Sequence, residues 1–190
     1  ADTVGHATPE TTYEYVSRLA DLGPVSTHTH DDLGFGLTNA WISLHAGADL
    51  VHGTINGIGE RAGNVALEEV AIALAHGYGI ETLNLETVYD LSKQVSHATG
   101  VPLPPNKAVV GENAFTHESG IHTDGTLKDD AMYEPYPPEL VGRERRLVLG
   151  KHAGAAGVRA ALEEHDVSVS GGELKSIVER VKRLGDRDKR

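Results

Sequence analysis

The feature that most restricts this chain is an alternation in its first hundred residues: short apolar runs and helical periodicities take turns, each changeover marked by glycine or proline. Thr8-Pro9-Glu10 sets a capping hydroxyl before a proline at the first helical position, and Tyr13, Val16, Leu19 and Ala20 recur at helical spacing until Gly23-Pro24 ends the run. "VSTHTH" then predicts a short buried strand, "GFGLTNAWISLHAGA" a turn entering a helix that ends near Gly47, and "DLVHGTI" a second strand. "NGIGERAGN" reads as a glycine-rich loop and "VALEEVAIALAHGYG" as a helix closed by glycines. Strands separated by helices cannot pair as hairpins, so the order predicts an α/β unit with parallel strands.

Past residue 80 the character changes. "ETVYDLSKQVSHATG" predicts a helix, "VPLPPNKAVVGENAF" a proline-rich crossing segment, and the stretch from Thr116 to Gly154 is polar and rich in turn formers. Helices are expected at about 153 to 165 and from the capping box Ser170-Gly-Gly-Glu173 onward. This half carries few continuous apolar runs, so it is expected to pack on something else, such as another subunit. The sequence therefore divides into residues 1–85, strands and helices of an α/β domain, and 86–190, its final helix and smaller subdomains. "ADTVGHATPE" reads as a strand tail with no initiator methionine or leader, and "VKRLGDRDKR" as a helix running out, so a fragment of a longer chain is expected.

The totals exclude several classes. No run approaches the roughly 20 apolar residues that span a bilayer. A formal charge of −11 argues against nucleic acid or an anionic membrane as partner. An acidic surface with only seven lysines is also the composition that a high-salt cytoplasm favours. With no cysteine there is no disulfide or thiolate, a composition that fits a cytoplasmic protein. Any metal must then be held by His, Asp, Glu or Asn.

Chemistry first shows at "STHTHDDLG". In a strand, residues i and i+2 face one side, about 6.6 Å apart, so His28 and His30 can share an ion. Their place at the C-terminal end of a parallel strand is where such sheets and (β/α)8 barrels put active sites. Two isolated histidines, one packed and one solvated, fit the spacing equally well. Gly57, Gly59 and Ala62 match G-x-G-x-x-A, but the loop is long and charged and does not open the fold, which disfavours a dinucleotide site. Asn64, at the start of the following helix, is better read as an oxygen ligand aimed at the same ion. "HESGIHTDG" gathers His117, Glu118, His122 and Asp124, a set suited to acid/base work or simply to a solvated loop. His6, His45, His52, His76, His97 and His165 read as surface residues, and the arginines of "GRERRLVLGKHAG" as ion-paired surface.

Taken together, "DTVGHATP", "STHTHDDLG", "HGTINGIGERAGNVALEEV" and "GENAFTHESGIHTDGTLKDDAMYEPYPPELVGRERRLVLGKHAG" resemble the 2-isopropylmalate, homocitrate and citramalate synthase family over essentially the whole chain. The resemblance implies the C-terminal part of a (β/α)8 TIM barrel, followed by mainly helical linker subdomains, in a homodimer whose linkers reach over the partner's barrel. It implies a divalent ion, Mg²⁺ or Mn²⁺ with Zn²⁺ as an alternative, bound by His28, His30 and Asn64 together with an aspartate of an earlier strand. Asp31 stands where many relatives have asparagine, a mild departure. The implied reaction is a condensation of acetyl-CoA with a 2-oxo acid, with His122 as the base, Thr3 binding the substrate carboxylate, and Glu60 and Tyr133 in supporting catalytic roles. Within the family the expectation is condensation with 3-methyl-2-oxobutanoate to 2-isopropylmalate, in leucine biosynthesis. Citramalate or homocitrate synthesis is the nearest alternative, and an inactive barrel fragment serving only in dimerisation is another. A lyase of the 3-hydroxy-3-methylglutaryl type would carry a cysteine loop, which this chain lacks.

Overall fold

A computed structural model describes residues 1–117, 135–150 and 152–187. The chain forms two compact units, Ala1–Pro104 with Ala108–Val110, and Pro105–Lys107 with Gly111–Arg190. The first unit runs α1 (Pro9–Ala20), β1 (Ser26–His28), α2 (Gly36–His45), β2 (Leu50–His52), α3 (Leu67–Tyr78) and α4 (Val88–Thr99). β1 and β2 pair in parallel, with His28 opposite His52. Asp2 bridges Thr29 in the same sense, and its N–H donates to the His28 carbonyl at 2.9 Å. The parallel α/β order predicted from the alternation is thus present.

The helices form for the reasons their sequences give. Thr8 Oγ1 accepts from Thr11 N at the head of α1, and Pro9 sits in its first turn. Val16 is buried against Ala46, Ala48 and Val25, whereas Tyr13 and Leu19, on the same periodicity, stay about half exposed. Leu19 instead borders a groove of about 660 Å³, whose other walls include Val16, Val25 and Thr27. A second cluster seats Ala40 of α2, the extended Val65 and, from α3, Val70 against Leu37, Val51 and Leu74. Trp41, His45 and Tyr78 pack on one another across α2 and α3, with His45 Nε2 2.8 Å from the Tyr78 hydroxyl.

The helix expected from Val65 starts at Leu67. Residues 64 to 66 are extended because neighbouring backbone claims them: Val65 N donates to Thr29 O at 3.1 Å, and Leu67 N to Thr54 O at 2.9 Å. The loop before them is held from behind. Glu68, with none of its surface exposed, accepts the Asn56 N–H on both carboxylate oxygens at 3.1 and 3.0 Å. Asn56, at a left-handed φ of 63°, donates from Nδ2 to the Ser92 carbonyl and accepts the Ser92 hydroxyl, which ties the loop to α4. Gly63 closes the loop at φ +92°, where a Cβ would run into the Gly57 carbonyl.

In the second unit β3 (Thr116–His117) pairs in parallel with β4 (Arg146–Leu147), and α5 (Ala155–Glu164) precedes α6 (Gly171–Arg187). Ala153, Val158 and Leu174 form a small core, flanked by Leu162, Ile177 and Val181. The reading of Arg143 as a surface residue is corrected. It is 5% exposed, donates to the carbonyls of Gly111 and Glu112, and lies over the Phe115 ring, because a guanidinium can satisfy its donors on backbone oxygen inside a core. The capping box forms as written: Ser170 N donates to Glu173 Oε2 at 2.8 Å and Glu173 N to Ser170 Oγ at 3.4 Å. Among the described residues no helix is long and apolar enough to cross a membrane.

Gly63→Ala combines a left-handed φ with a backbone collision, so a destabilisation of about 1–3 kcal/mol is expected in urea unfolding. The Ser170 hydroxyl and N–H hold the Glu173 carboxyl below its ordinary value of 4.5. A lowered carboxylate stabilises the folded helix fully above that ordinary value and loses the contribution as pH falls through the folded one. An NMR titration should place the Glu173 midpoint below 4.5, and Ser170→Ala should return it toward 4.5.

Candidate metal centre

Three segments of the first unit meet at the C-terminal end of β1. Continuing past the strand, His30 pairs in antiparallel fashion with Asn64, and the contact is framed by Val65 N to Thr29 O at 3.1 Å and Asp31 N to Gly63 O at 3.0 Å. Asn64 therefore stands opposite His30 on an extended segment, not at a helix start as expected. Gly59 makes this possible, since a side chain there would collide with the Asn64 amide.

The two histidines do converge. His28 Nε2 lies 3.2 Å from His30 Nε2, the rings standing edge to face at 5.1 Å between centroids. His30 is 8% exposed. Burial, followed by the nearby rings of His30 and His52 and the chain's amino group, pulls the His28 pKa below its ordinary 6.5 and favours the neutral form that binds metals. Two buried side-chain oxygens among the described residues lack a hydrogen-bond partner, Asn39 Oδ1 and Asn64 Oδ1. Asn64 donates from Nδ2 to the Ile58 carbonyl at 3.2 Å, which fixes the amide and leaves its oxygen free as a ligand. A buried acceptor without a donor is costly unless something positive meets it.

The donor set fits a divalent ion that accepts nitrogen and oxygen ligands. Among the described residues no group of three or more His, Asp or Glu could hold an ion, so these residues offer two imidazoles and one amide oxygen. The remaining coordination positions would fall to oxygens from other groups.

Around the candidate ligands lies a charged bracket. Arg61, at a left-handed φ of 57°, donates from Nε and Nη2 to both oxygens of Asp32 at 2.8 and 3.0 Å, and from Nη2 to the Thr3 carbonyl at 2.8 Å. The same Nη2 lies 3.2 Å from His30 Nδ1. The guanidinium holds the Asp32 carboxyl below the usual carboxylate range, and Asp32 in turn raises the arginine. Asp31 accepts the Gly36 N–H at 2.7 Å and steadies the head of α2, in keeping with its place outside the expected ligand set.

The other sites read from the sequence fall as follows. Thr3 is present at the site through its carbonyl, which Arg61 engages. Glu60 points outward, its side chain 86% exposed and 3.6 Å from the Arg61 guanidinium. His122 and Tyr133, with Glu118 and Asp124, lie outside the described residues. His52, read as a surface residue, stands at the strand end 6.0 Å from the His28 ring, with Nε2 2.9 Å from Ser26 Oγ. Sequence reasoning missed Arg61. The available signal was a donor-only side chain in a glycine loop whose Asn64 was already aimed at the histidines.

Comparison with known proteins places the chain in a family. Residues 1–95 match the HMGL-like family, and residues 109–189 match the homocitrate synthase post-HMGL domain-like family. A protein assigned as an (R)-citramalate synthase in Methanosphaerula palustris is 55% identical over 190 residues, covering 100% of this chain and 38% of that one. A 2-isopropylmalate synthase of Methanocaldococcus jannaschii is 45% identical over 196 residues, again 100% of this chain and 38% of the relative. The chain thus spans well under half the length of these relatives. An HMG-CoA lyase structure from Bacillus subtilis superposes with a TM-score of 0.50 at 27% identity, covering 54% of this chain and 38% of that one. The parallel α/β unit is a portion of the HMGL-like (β/α)8 barrel, and the chain belongs to the HMGL-like family.

Proposed function

We infer that this chain is part of a divalent-metal-dependent acyltransferase that joins the acetyl group of acetyl-CoA to the carbonyl carbon of a 2-oxo acid. The observation that carries the reading is the buried Asn64 Oδ1 without a donor, on a residue paired through its backbone with His30, whose Nε2 faces that of His28. His28, His30 and Asn64 would hold the ion, whose role when bound is to polarise the keto oxygen of the 2-oxo acid as a Lewis acid. The chain's own residues set the rest. Burial lowers the His28 pKa and favours its neutral form, the loop glycines let backbone approach closely, and Arg61, paired with Asp32, ties the loop to the strand end. His122 is the proposed base for the methyl proton of acetyl-CoA, with Tyr133 near the substrate and Glu60 in support; a homodimer with exchanged linkers would bring His122 to the partner's site.

For the 2-oxo acid, the relatives' names lean slightly away from the 2-isopropylmalate expectation. The 55% identity to a citramalate synthase favours pyruvate, whose methyl group gives citramalate by the same condensation. The 45% identity to a 2-isopropylmalate synthase keeps 3-methyl-2-oxobutanoate as the second reading. The absence of cysteine supports synthesis over lyase chemistry.

Release of free CoA from acetyl-CoA with Mg²⁺ or Mn²⁺, with pyruvate and 3-methyl-2-oxobutanoate compared side by side, tests the assignment. Turnover is expected with a 2-oxo acid, pyruvate preferred, in a polypeptide of the relatives' length carrying this chain; none with either acid would refute it. His28→Ala should weaken Mn²⁺ binding by more than about 100-fold and abolish turnover, while His122→Ala should keep the ion and lose turnover. Equal loss of metal in both variants, measured by equilibrium dialysis, would break the division of roles.

A further inference from the structure

Arg61 commits its donors to two other loops. Nε donates to Asp32 Oδ1 at 2.8 Å, and Nη2 donates to Asp32 Oδ2 at 3.0 Å and to the Thr3 carbonyl at 2.8 Å. These bonds use the Nε hydrogen and both hydrogens of Nη2. Only Nη1 is left, and it lies 3.6 Å from Glu60 Oε2. Either edge of a guanidinium that grips a carboxylate with two bonds needs a hydrogen of Nη2, which has none to spare, so Arg61 is built to hold protein and not a ligand.

The loops it joins all follow parallel-paired segments. Thr3 lies just past the Asp2–Thr29 bridge, Asp32 two residues past His30, and Arg61 in the loop after β2 that ends at Asn64. The Thr3 turn is closed at its ends: the Asp2 carboxylate accepts from His6 N and Ala7 N, its carbonyl from Gly5 N, and Asn39 Nδ2 donates to the Ala7 carbonyl. Between those ends Thr3 is held by Arg61. Gly5, at φ +64°, packs so closely on Asp32 that a Cβ there would collide with its carboxylate. Arg61 itself stands at a left-handed φ of 57°, a backbone disfavoured for any residue with a side chain, which the loop nonetheless maintains. Thr3 is exposed, so fixing its carbonyl sets where its hydroxyl meets a ligand.

We propose that Arg61 is a clamp across the three loops: anchored on Asp32, it fixes the Thr3 carbonyl and so positions the Thr3 hydroxyl for the carboxylate of the 2-oxo acid. The proposal rests on the acyltransferase reading. It makes Arg61 a positioning residue, acting on the substrate through Thr3 and not through its own charge. The arginine side chain is 41% exposed, so what it supplies is geometry more than the strength of a screened ion pair.

In a polypeptide of the relatives' length carrying this chain, calorimetry measures binding of pyruvate and of 3-methyl-2-oxobutanoate to the Mn²⁺-loaded protein without acetyl-CoA. Arg61→Lys keeps the charge and loses the paired geometry, and is expected to weaken binding of the accepted acid about tenfold with Mn²⁺ affinity unchanged. Asp32→Asn should weaken it to a similar degree, and the double variant no further than either. In the ion-free protein, hydrogen exchange at Gly5, His6 and Ala7 should quicken in both variants. Unweakened binding in Arg61→Lys with tighter binding in Asp32→Asn overturns the clamp, because charge alone then explains the effect. Mn²⁺ affinity falling as far as that for the acid also overturns it, since the change then reaches the ion's ligands and not Thr3. Exchange unchanged in both variants overturns the clamp alone. No binding of either acid by the unaltered protein overturns the acyltransferase reading, and the role given to Thr3 with it.

Discussion

The site depends on a short stretch of backbone pairing, residues 29 to 31 against 63 to 65, with His30 opposite Asn64. Side chains alone would not bring an amide from a loop after β2 onto the end of β1. The two main-chain hydrogen bonds that frame the pair do so, and each adds only about 1 kcal/mol to stability. Their value lies in geometry. They demand that the chain after β2 turn back tightly, which the left-handed residues Asn56, Gly57, Arg61 and Gly63 supply.

The same pairing shows why some of the structure was legible in the sequence and some was not. The alternation of strands and helices, the cap at Thr8, the Ser170–Glu173 box and the shared face of His28 and His30 are local patterns, and all appear as read. The start of α3 was misplaced because Val65 and Leu67 give their N–H groups to Thr29 and Thr54, partners far away in sequence. Glu68 reads as the solvated first turn of a helix. It is buried because the Asn56 N–H, twelve residues earlier, needs an acceptor. Arg143 looked like surface among charged neighbours, yet it is buried and donates to the carbonyls of Gly111 and Glu112.

Charge at the centre is arranged as a chain of contacts. Asp32 fixes a guanidinium that can only donate, the guanidinium meets an imidazole, and that imidazole meets a second one made neutral by burial. The protein's overall acidity has little part in this, because the groups involved lie within hydrogen-bonding distance of one another.

The tether behind the loop has a consequence for how this site can change over evolutionary time. Asn56, Glu68 and Ser92 satisfy one another away from the histidines. An apolar residue in place of Glu68 would strand the Asn56 N–H, and loss of Asn56 would remove a partner of Ser92. These three positions are therefore expected to drift as a set, and a lineage that breaks the set loosens the mounting of Asn64 without altering any residue at the ion.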